Sequence, residues 1–421
     1  TTYFHLHIVY ASTLLIMFPS AEGHRRFVPF PSDFEVSGDE VSVSVRPYEI
    51  TKRVNVKERW RDRPLGEVFS ENFQLEKNYL EEAALNKKLL INDLECSPED
   101  LLRNGDVVTH TYLMEEPPLR NEKVEVLAEN ELLLVVDKPE GLPCHPQRSF
   151  EKSSLTEIVR RGYLGETWEY LHPINRLDRQ TSGIVLLAKS RKGYMLLSKQ
   201  LHDDAMSKLY VARVAGTLQG CTSGSEISTE EGEASAIDVL AASKRTWHSV
   251  CSLPLHLEKH KTGQPLTTVV DHEKGKEATT HFMTLRRFCD GTSLVLCRPI
   301  TGRTHQIRVH LSALGCPILG DRLYGSQHCV PTPPGAISTE LDEDRLCLHA
   351  AAYTLSLAKE DDEDEDEDAA KRTDFAELKE NLPLQTGFED APGSSCSLVY
   401  LCHRQPAWCS GKVISKQGAP R

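Results

Sequence analysis

Two hydrophobic periods alternate along this chain. Leu65, Val68, Phe69 and Phe73 recur at the three-to-four-residue spacing of an amphipathic helix. Leu80, Ala83 and Ala84, followed by Lys87 and Lys88, predict a second helix. Leu89–Asn92 and Asp106–His110 are short apolar runs separated by the polar turn Arg103-Asn104-Gly105, the signature of a small hairpin. Beyond Pro117-Pro118 the runs lengthen. Strands are expected at Leu132–Val136, Ile184–Ala188, Leu209–Val214, Thr279–Leu285, Ser293–Leu296 and Leu346–Leu357. Helices are expected around Leu155–Val159 and over Thr304–Leu314, the latter with Ile307, Leu311 and Leu314 on one face and Gly315 as its stop. Mixed strands and helices in this order predict an α+β fold, not a doubly wound sheet.

The pattern divides the 421 residues into four parts. Residues 1–45 form an N-terminal extension with no convincing period after Phe18. Residues 46–118 form a small module closed by the paired prolines. Residues 119–358 form the main domain, with a Ser/Gly/Glu-rich insertion at about 220–243 that is too polar to bury. Residues 359–421 form an acidic linker and tail. Charge follows the same division. The net charge of -13 becomes +1 when fourteen acids are set aside, nine in Glu360–Asp368 and five between Cys221 and Leu240. The body is therefore near neutral, and an acidic total does not exclude a nucleic-acid partner, whose footprint is a local basic face.

Several function classes drop out. The twelve cysteines include no Cys-x-x-Cys pair and predict reduced thiols, not a zinc ribbon or a disulfide scaffold. His145 beside Cys144, His172, and Cys402-His403 near Cys409 lack zinc-ligand spacing, so no metal is expected. Neither phosphate-binding glycine motif is present, so neither an ATP- nor an NAD-dependent reading has support and no cofactor is expected. No apolar run reaches the ~18 residues of a membrane span. Ile8–Phe18 has the length of a signal core without a basic segment before it, and a start on Thr1 points to a processed or non-native end. Cytoplasmic or nuclear residence is expected, with a mitochondrial or other organellar location as the alternative.

Three segments could carry chemistry. In Asn175-Arg176-Leu177-Asp178-Arg179-Gln180-Thr181-Ser182-Gly183 a carboxylate flanked by two arginines is held ionised, suited to act as nucleophile or base, or simply to cap the following turn. In Gly302–His310 two arginines and two histidines share a short helix whose polar face meets phosphate, carboxylate or solvent; Arg308, next to core residue Ile307, wants a partner. In Lys208–Val214 alternation puts Lys208, Tyr210 and Ala212 on one face, and Tyr210 is either a core residue or a stacking platform.

Taken together, these segments resemble the RluA family of pseudouridine synthases. The resemblance rests on Asn-Arg-Leu-Asp-x-x-Thr-Ser-Gly, Lys-x-Tyr-x-Ala-Arg-Val, the Thr301–His310 motif and Gly315–Gly325, with Leu132–Pro143 as the opening strand and turn. It covers roughly Arg46–Ala358, and Arg46–Phe69 is similar to the branch acting on the tRNA anticodon stem-loop. The resemblance implies a mixed, mainly antiparallel sheet, conversion of uridine to pseudouridine in RNA without a cofactor, and a target in tRNA, with ribosomal or messenger RNA as the alternative and a non-catalytic RNA-binding protein on the same scaffold as the rival class. It makes Asp178 the nucleophile or base, Tyr210 the residue stacked on the target base and a candidate proton relay, and Arg308 the partner of Asp178. Arg176 takes the place of the flipped nucleotide, and Lys208, Arg303, His305 and Leu348 complete the RNA-binding set. A monomer is expected. One departure is Asn175, where the family commonly has His; its side chain is expected to bond backbone or phosphate. The small module resembles an RNA-binding unit of ribosomal-protein type, with Lys57, Arg59, Arg61, Arg63, Lys87 and Lys88 as its phosphate contacts.

Overall fold

The computed structural model describes residues 25–147, 149–202, 206–218, 247–258, 266–325, 345–356 and 397–401. The polar insertion, the acidic run, the Cys402-His403 pair and the apolar stretch Ile8–Phe18 lie outside the described residues. The described chain opens with β1 (Arg26–Phe27), β2 (Phe34–Val36) and β3 (Ser42–Val45). A small unit follows: β4 (Tyr48–Asn55), α1 (Leu65–Phe73), α2 (Lys77–Leu85), β5 (Leu89–Ile91), β6 (Leu94–Glu95) and β7 (Val107–Met114). β8 (Leu119–Arg120) leads to β9 (Glu125–Glu129), β10 (Leu133–Lys138), α3 (Leu155–Val159), β11 (His172–Pro173), β12 (Ser182–Ala188), α4 (Arg191–His202) and β13 (Met206–Ala215). The remainder comprises β14 (Ser249–Cys251), β15 (Leu255–Glu258), β16 (Thr267–Val270), β17 (Thr280–Arg287), β18 (Thr292–Pro299), α5 (Gln306–Ala313), β19 (Leu348–Ser356) and β20 (Ser397–Leu401).

The large sheet runs β1-β9-β10-β12-β19-β13-β18-β17-β14, with β11 on β12 and β20 on β19. Its pairings are antiparallel except β12 with β19. Central strands such as β10 and β12 are buried along nearly their whole length, which explains their continuous apolar runs. The parallel pair brings Gly183 against Ala350, and a Cβ at Gly183 would lie 2.4 Å from the Ala350 carbonyl oxygen. Its φ of +114° also lies where only glycine is unstrained, so the Thr-Ser-Gly turn needs its glycine twice over.

The small unit folds around a core of its own, including Trp60, Leu65, Val68, Phe69, Leu80, Leu89 and Val108. Its sheet runs β4-β7-β5-β6, so the expected hairpin is part of a four-stranded sheet. Lys87 and Lys88 fall beyond α2. Glu116 ties this unit to the main body: it accepts from the Tyr48 hydroxyl at 2.5 Å and from the backbone N–H of Lys152 and Ser153 at 2.8 and 2.9 Å. The extension is also structured from Arg26 onward, since β1 pairs with β9 and β3 with β8.

Candidate active site

An open cleft of about 1180 Å³ lies where the loop between β11 and β12, the start of α5, strand β13 and strand β19 converge. It is larger than the ~300–1,000 Å³ usual for a small-molecule pocket. All eight residues singled out from the sequence, Arg176, Asp178, Lys208, Tyr210, Arg303, His305, Arg308 and Leu348, line it.

The Asp178 loop is shaped from below. Leu177 points into the core, so its neighbours Arg176 and Asp178 face outward. The Cys144 thiol donates to the Leu177 carbonyl and accepts from the Leu177 N–H, each at 3.3 Å. Fully buried Lys138 donates to the carbonyls of Pro139, Leu142 and Arg179, tying the Asp-Lys-Pro-x-Gly turn to the loop. Burial pushes its amine down to about 8. The Asp178 backbone carbonyl accepts from Thr181 N–H at 3.0 Å, closing the turn into β12.

Above the Asp178 carboxylate stand two side chains from the start of α5. His305 Nε2 is 3.7 Å and an Arg308 terminal nitrogen 3.8 Å from Asp178 Oδ2. The close partner of Arg308 is a different acid. Its Nε and other terminal nitrogen donate to the two oxygens of buried Asp321, both at 2.7 Å. Arg308 is therefore a bridge, forked onto Asp321 and presenting its remaining nitrogen to Asp178. Burial works against its charge, and the Asp321 bonds together with the charge of Asp178 outweigh that and hold its pKa up. Asp321 lies within the Gly315–Gly325 motif, whose glycines at 315, 320 and 325 mark turns but give no sign of an ion pair with α5.

His305 begins α5 with a left-handed φ of 54°. Tyr324 Oη lies 2.7 Å from its Nδ1 and accepts the Thr268 N–H at 2.8 Å. The other ring nitrogen, Nε2, faces Asp178. Burial lowers the His305 pKa against the pull of Asp178, so the ring is neutral at neutral pH. The helix is less exposed than its sequence suggests. His310 is fully buried, held by Thr280 Oγ1 and the Leu253 carbonyl, each at 3.0 Å. Gln306 accepts from Thr301 Oγ1 and the Arg303 N–H and donates to Thr279 and Thr280, fixing the loop before the helix. Arg303 itself donates to the Glu277 carbonyl at 2.9 Å.

On the facing wall, Tyr210 and Lys208 share one side of β13. Leu348 and Tyr353 reach the same cleft from β19 although an odd number of positions separates them. A bulge opposite Leu209/Tyr210 adds one residue to β19 and brings both to the same side. The Tyr210 and Tyr353 hydroxyls are 3.2 Å apart, and Asn175 Nδ2 donates to Tyr353 at 2.7 Å. Asn175 otherwise bonds to the backbone of Ile184 and Leu186, so of the two expected partners it takes the backbone. Burial pushes the Tyr210 phenol up to about 12, and it is neutral.

Among the described residues no group of three or more His, Cys, Asp or Glu side chains is placed to hold a metal ion. The family model for RNA pseudouridylate synthase matches residues 132–313, a span that holds every cleft residue named from the sequence except Leu348. The chain is 32% identical over 305 residues to the tRNA pseudouridine(31) synthase of Saccharomyces cerevisiae, covering 67% of this chain and 72% of that protein. It is 31% identical over 242 residues to the dual-specificity RNA pseudouridine synthase RluA of Haemophilus ducreyi, covering 57% of this chain and 90% of that one. This chain belongs to the RNA pseudouridylate synthase family. Another family member, the mitochondrial tRNA pseudouridine(32) synthase of Saccharomyces cerevisiae, is 34% identical over 307 residues, 72% of this chain and 59% of that protein. The chain spans about half to three fifths of the length of the first curated relatives it matches.

Proposed function

We propose that this protein is an RNA pseudouridine synthase that isomerises a uridine in the anticodon stem-loop of tRNA. The observation that carries the reading is the convergence of three distant segments on one cleft, with the Asp178 carboxylate beneath a neutral histidine and a doubly engaged arginine. Relatives named for uridines 31 and 32 of tRNA support the substrate.

The isomerisation breaks the bond between ribose C1′ and uracil N1 and forms one between C1′ and C5. The hydrogen leaves C5 and N1 ends protonated, so atoms balance without a co-reactant. Asp178 acts at the ribose, as nucleophile or as base. Arg308, anchored by Asp321, and His305 face that carboxylate and aim it. Tyr210 stacks on the extruded base, and exposed Arg176 fills the space the base leaves in the RNA. The 46–118 module supplies further RNA contacts, and the protein works as a monomer. Purified protein incubated with tRNA and mapped for pseudouridine tests the assignment. Asp178→Asn should abolish pseudouridine formation while RNA affinity stays within a few-fold; substantial turnover by this variant would refute the role of Asp178, and pseudouridine only in ribosomal or messenger RNA would refute the substrate.

A further inference from the structure

We propose that Asn175 and Tyr353 are positioning residues that set the direction of the Tyr210 hydroxyl, making it a hydrogen-bond donor into the cleft. The proposal rests on the reading of the cleft as a pseudouridine synthase site. Asn175 is buried, and its amide cannot flip. Its Oδ1 accepts the Leu186 N–H at 2.8 Å, and its Nδ2 faces the Ile184 carbonyl at 3.2 Å. Reversing the amide would set oxygen against a carbonyl and NH₂ against an N–H. The second hydrogen on Nδ2 must therefore go to the Tyr353 oxygen at 2.7 Å.

Tyr353 is 1% exposed, and its one hydrogen cannot return along the bond from Asn175. The acceptor at hand is the Tyr210 oxygen, 3.2 Å away. Tyr210 thus receives from Tyr353, and its own hydrogen points away from Tyr353 towards the open side, where the charge of Asp178 reaches it. The direction of the whole chain is dictated by two backbone groups of β12. Each donor in such a series polarises the next. The result is a phenol that is neutral and better able to donate than an isolated one. In the isomerisation negative charge develops on uracil as the C1′–N1 bond breaks. A donor already directed into the cleft stabilises that charge at the edge of the base without reorienting. No net proton transfer is asked of the phenol, and neither Asn175 nor Tyr353 needs to touch RNA.

The test compares Tyr353→Phe, Tyr210→Phe and the double variant. Tyr353→Phe keeps the ring and removes the hydrogen given to Tyr210. It should lower kcat about tenfold with KM within twofold, and in the Tyr210→Phe background it should change kcat by less than twofold. An equal loss of kcat in both backgrounds would mean that Tyr353 acts through packing, and would overturn the proposal. A second measurement needs no turnover. In protein labelled with ¹³C at tyrosine Cζ, the Tyr210 resonance, assigned by its loss in Tyr210→Phe, should move in Tyr353→Phe. An unmoved resonance would overturn the hydrogen-bond chain itself. A moved resonance in a protein that makes no pseudouridine would uphold the chain and refute the enzymatic reading instead.

Discussion

Asp321 shows how much of this site depends on a residue that never meets the substrate. It is 4% exposed and holds both prongs of Arg308, while its carboxylate also accepts the N–H groups of Leu323 and Tyr324. Removing one member of a buried ion pair leaves the other charge uncompensated, which costs roughly 3–5 kcal/mol. Asp321→Ala should therefore lower the unfolding free energy obtained from urea denaturation by an amount in that range and reduce turnover, because Arg308 loses the fork that aims it. A stability loss under 1 kcal/mol would contradict this view of the pair. The residue types of the site were legible in the sequence: a carboxylate between arginines, an arginine beside a core isoleucine, a tyrosine on an alternating strand. Their partners were not. Nothing in the spacing joins Arg308 to Asp321 or Asn175 to Tyr353, because those bonds cross between elements that meet only in the folded chain.

The elements recovered most closely are those with a full hydrophobic period. α1, α3, α5, β10, β12 and β13 lie near their expected positions. β4 alternates, with Tyr48, Ile50 and Val54 half-exposed and Glu49, Thr51, Arg53 and Asn55 exposed, but Lys52 interrupts its apolar face. Strands β1, β2 and β3, of two to four residues, are too short for alternation to register. α5 was expected to have one apolar face, and the structure gives it two. Ile307 and Leu311 join the main core, while Val309 packs with Leu255 and Ala278 beneath the β15–β16 hairpin. That second contact is why Arg308 and His310 are buried instead of solvated. The β12–β19 pair makes the clearest demand at this scale. Gly183→Ala should destabilise the fold by at least ~1–3 kcal/mol from its backbone region alone, before the clash with Ala350 is counted. A thermal melt within 1 °C of the parent would show that the two strands can part without cost.

In the molecule as a whole, the small unit has a core separate from that of the cleft. Several cations proposed to meet RNA there are engaged by acids: Arg61 with Glu58, Arg63 with Glu71, Lys87 with Glu95 and Lys88 with Glu49. Exposed pairs of this kind are worth little and exchange readily, so phosphate can compete for them. Lys57 and Arg59 lie over the ring of Trp60, at 5.1 and 5.6 Å from its centre. If this unit grips RNA, deleting residues 46–118 should raise KM at least tenfold and leave kcat at saturating RNA within threefold. Unchanged kinetics would show that the unit takes no part in holding the substrate.

By itself the sequence determined the secondary-structure alphabet of the main sheet, the three segments that carry chemistry and the family, because hydrophobic period and contiguous motifs are written along the chain. Only the tertiary structure decided which acid grips Arg308, which way the Tyr210 hydroxyl points and how a bulge in β19 turns both Leu348 and Tyr353 towards one cleft. Those outcomes depend on strand register and on buried hydrogen-bond donors finding acceptors. Both are settled only when distant segments pack together and water is gone.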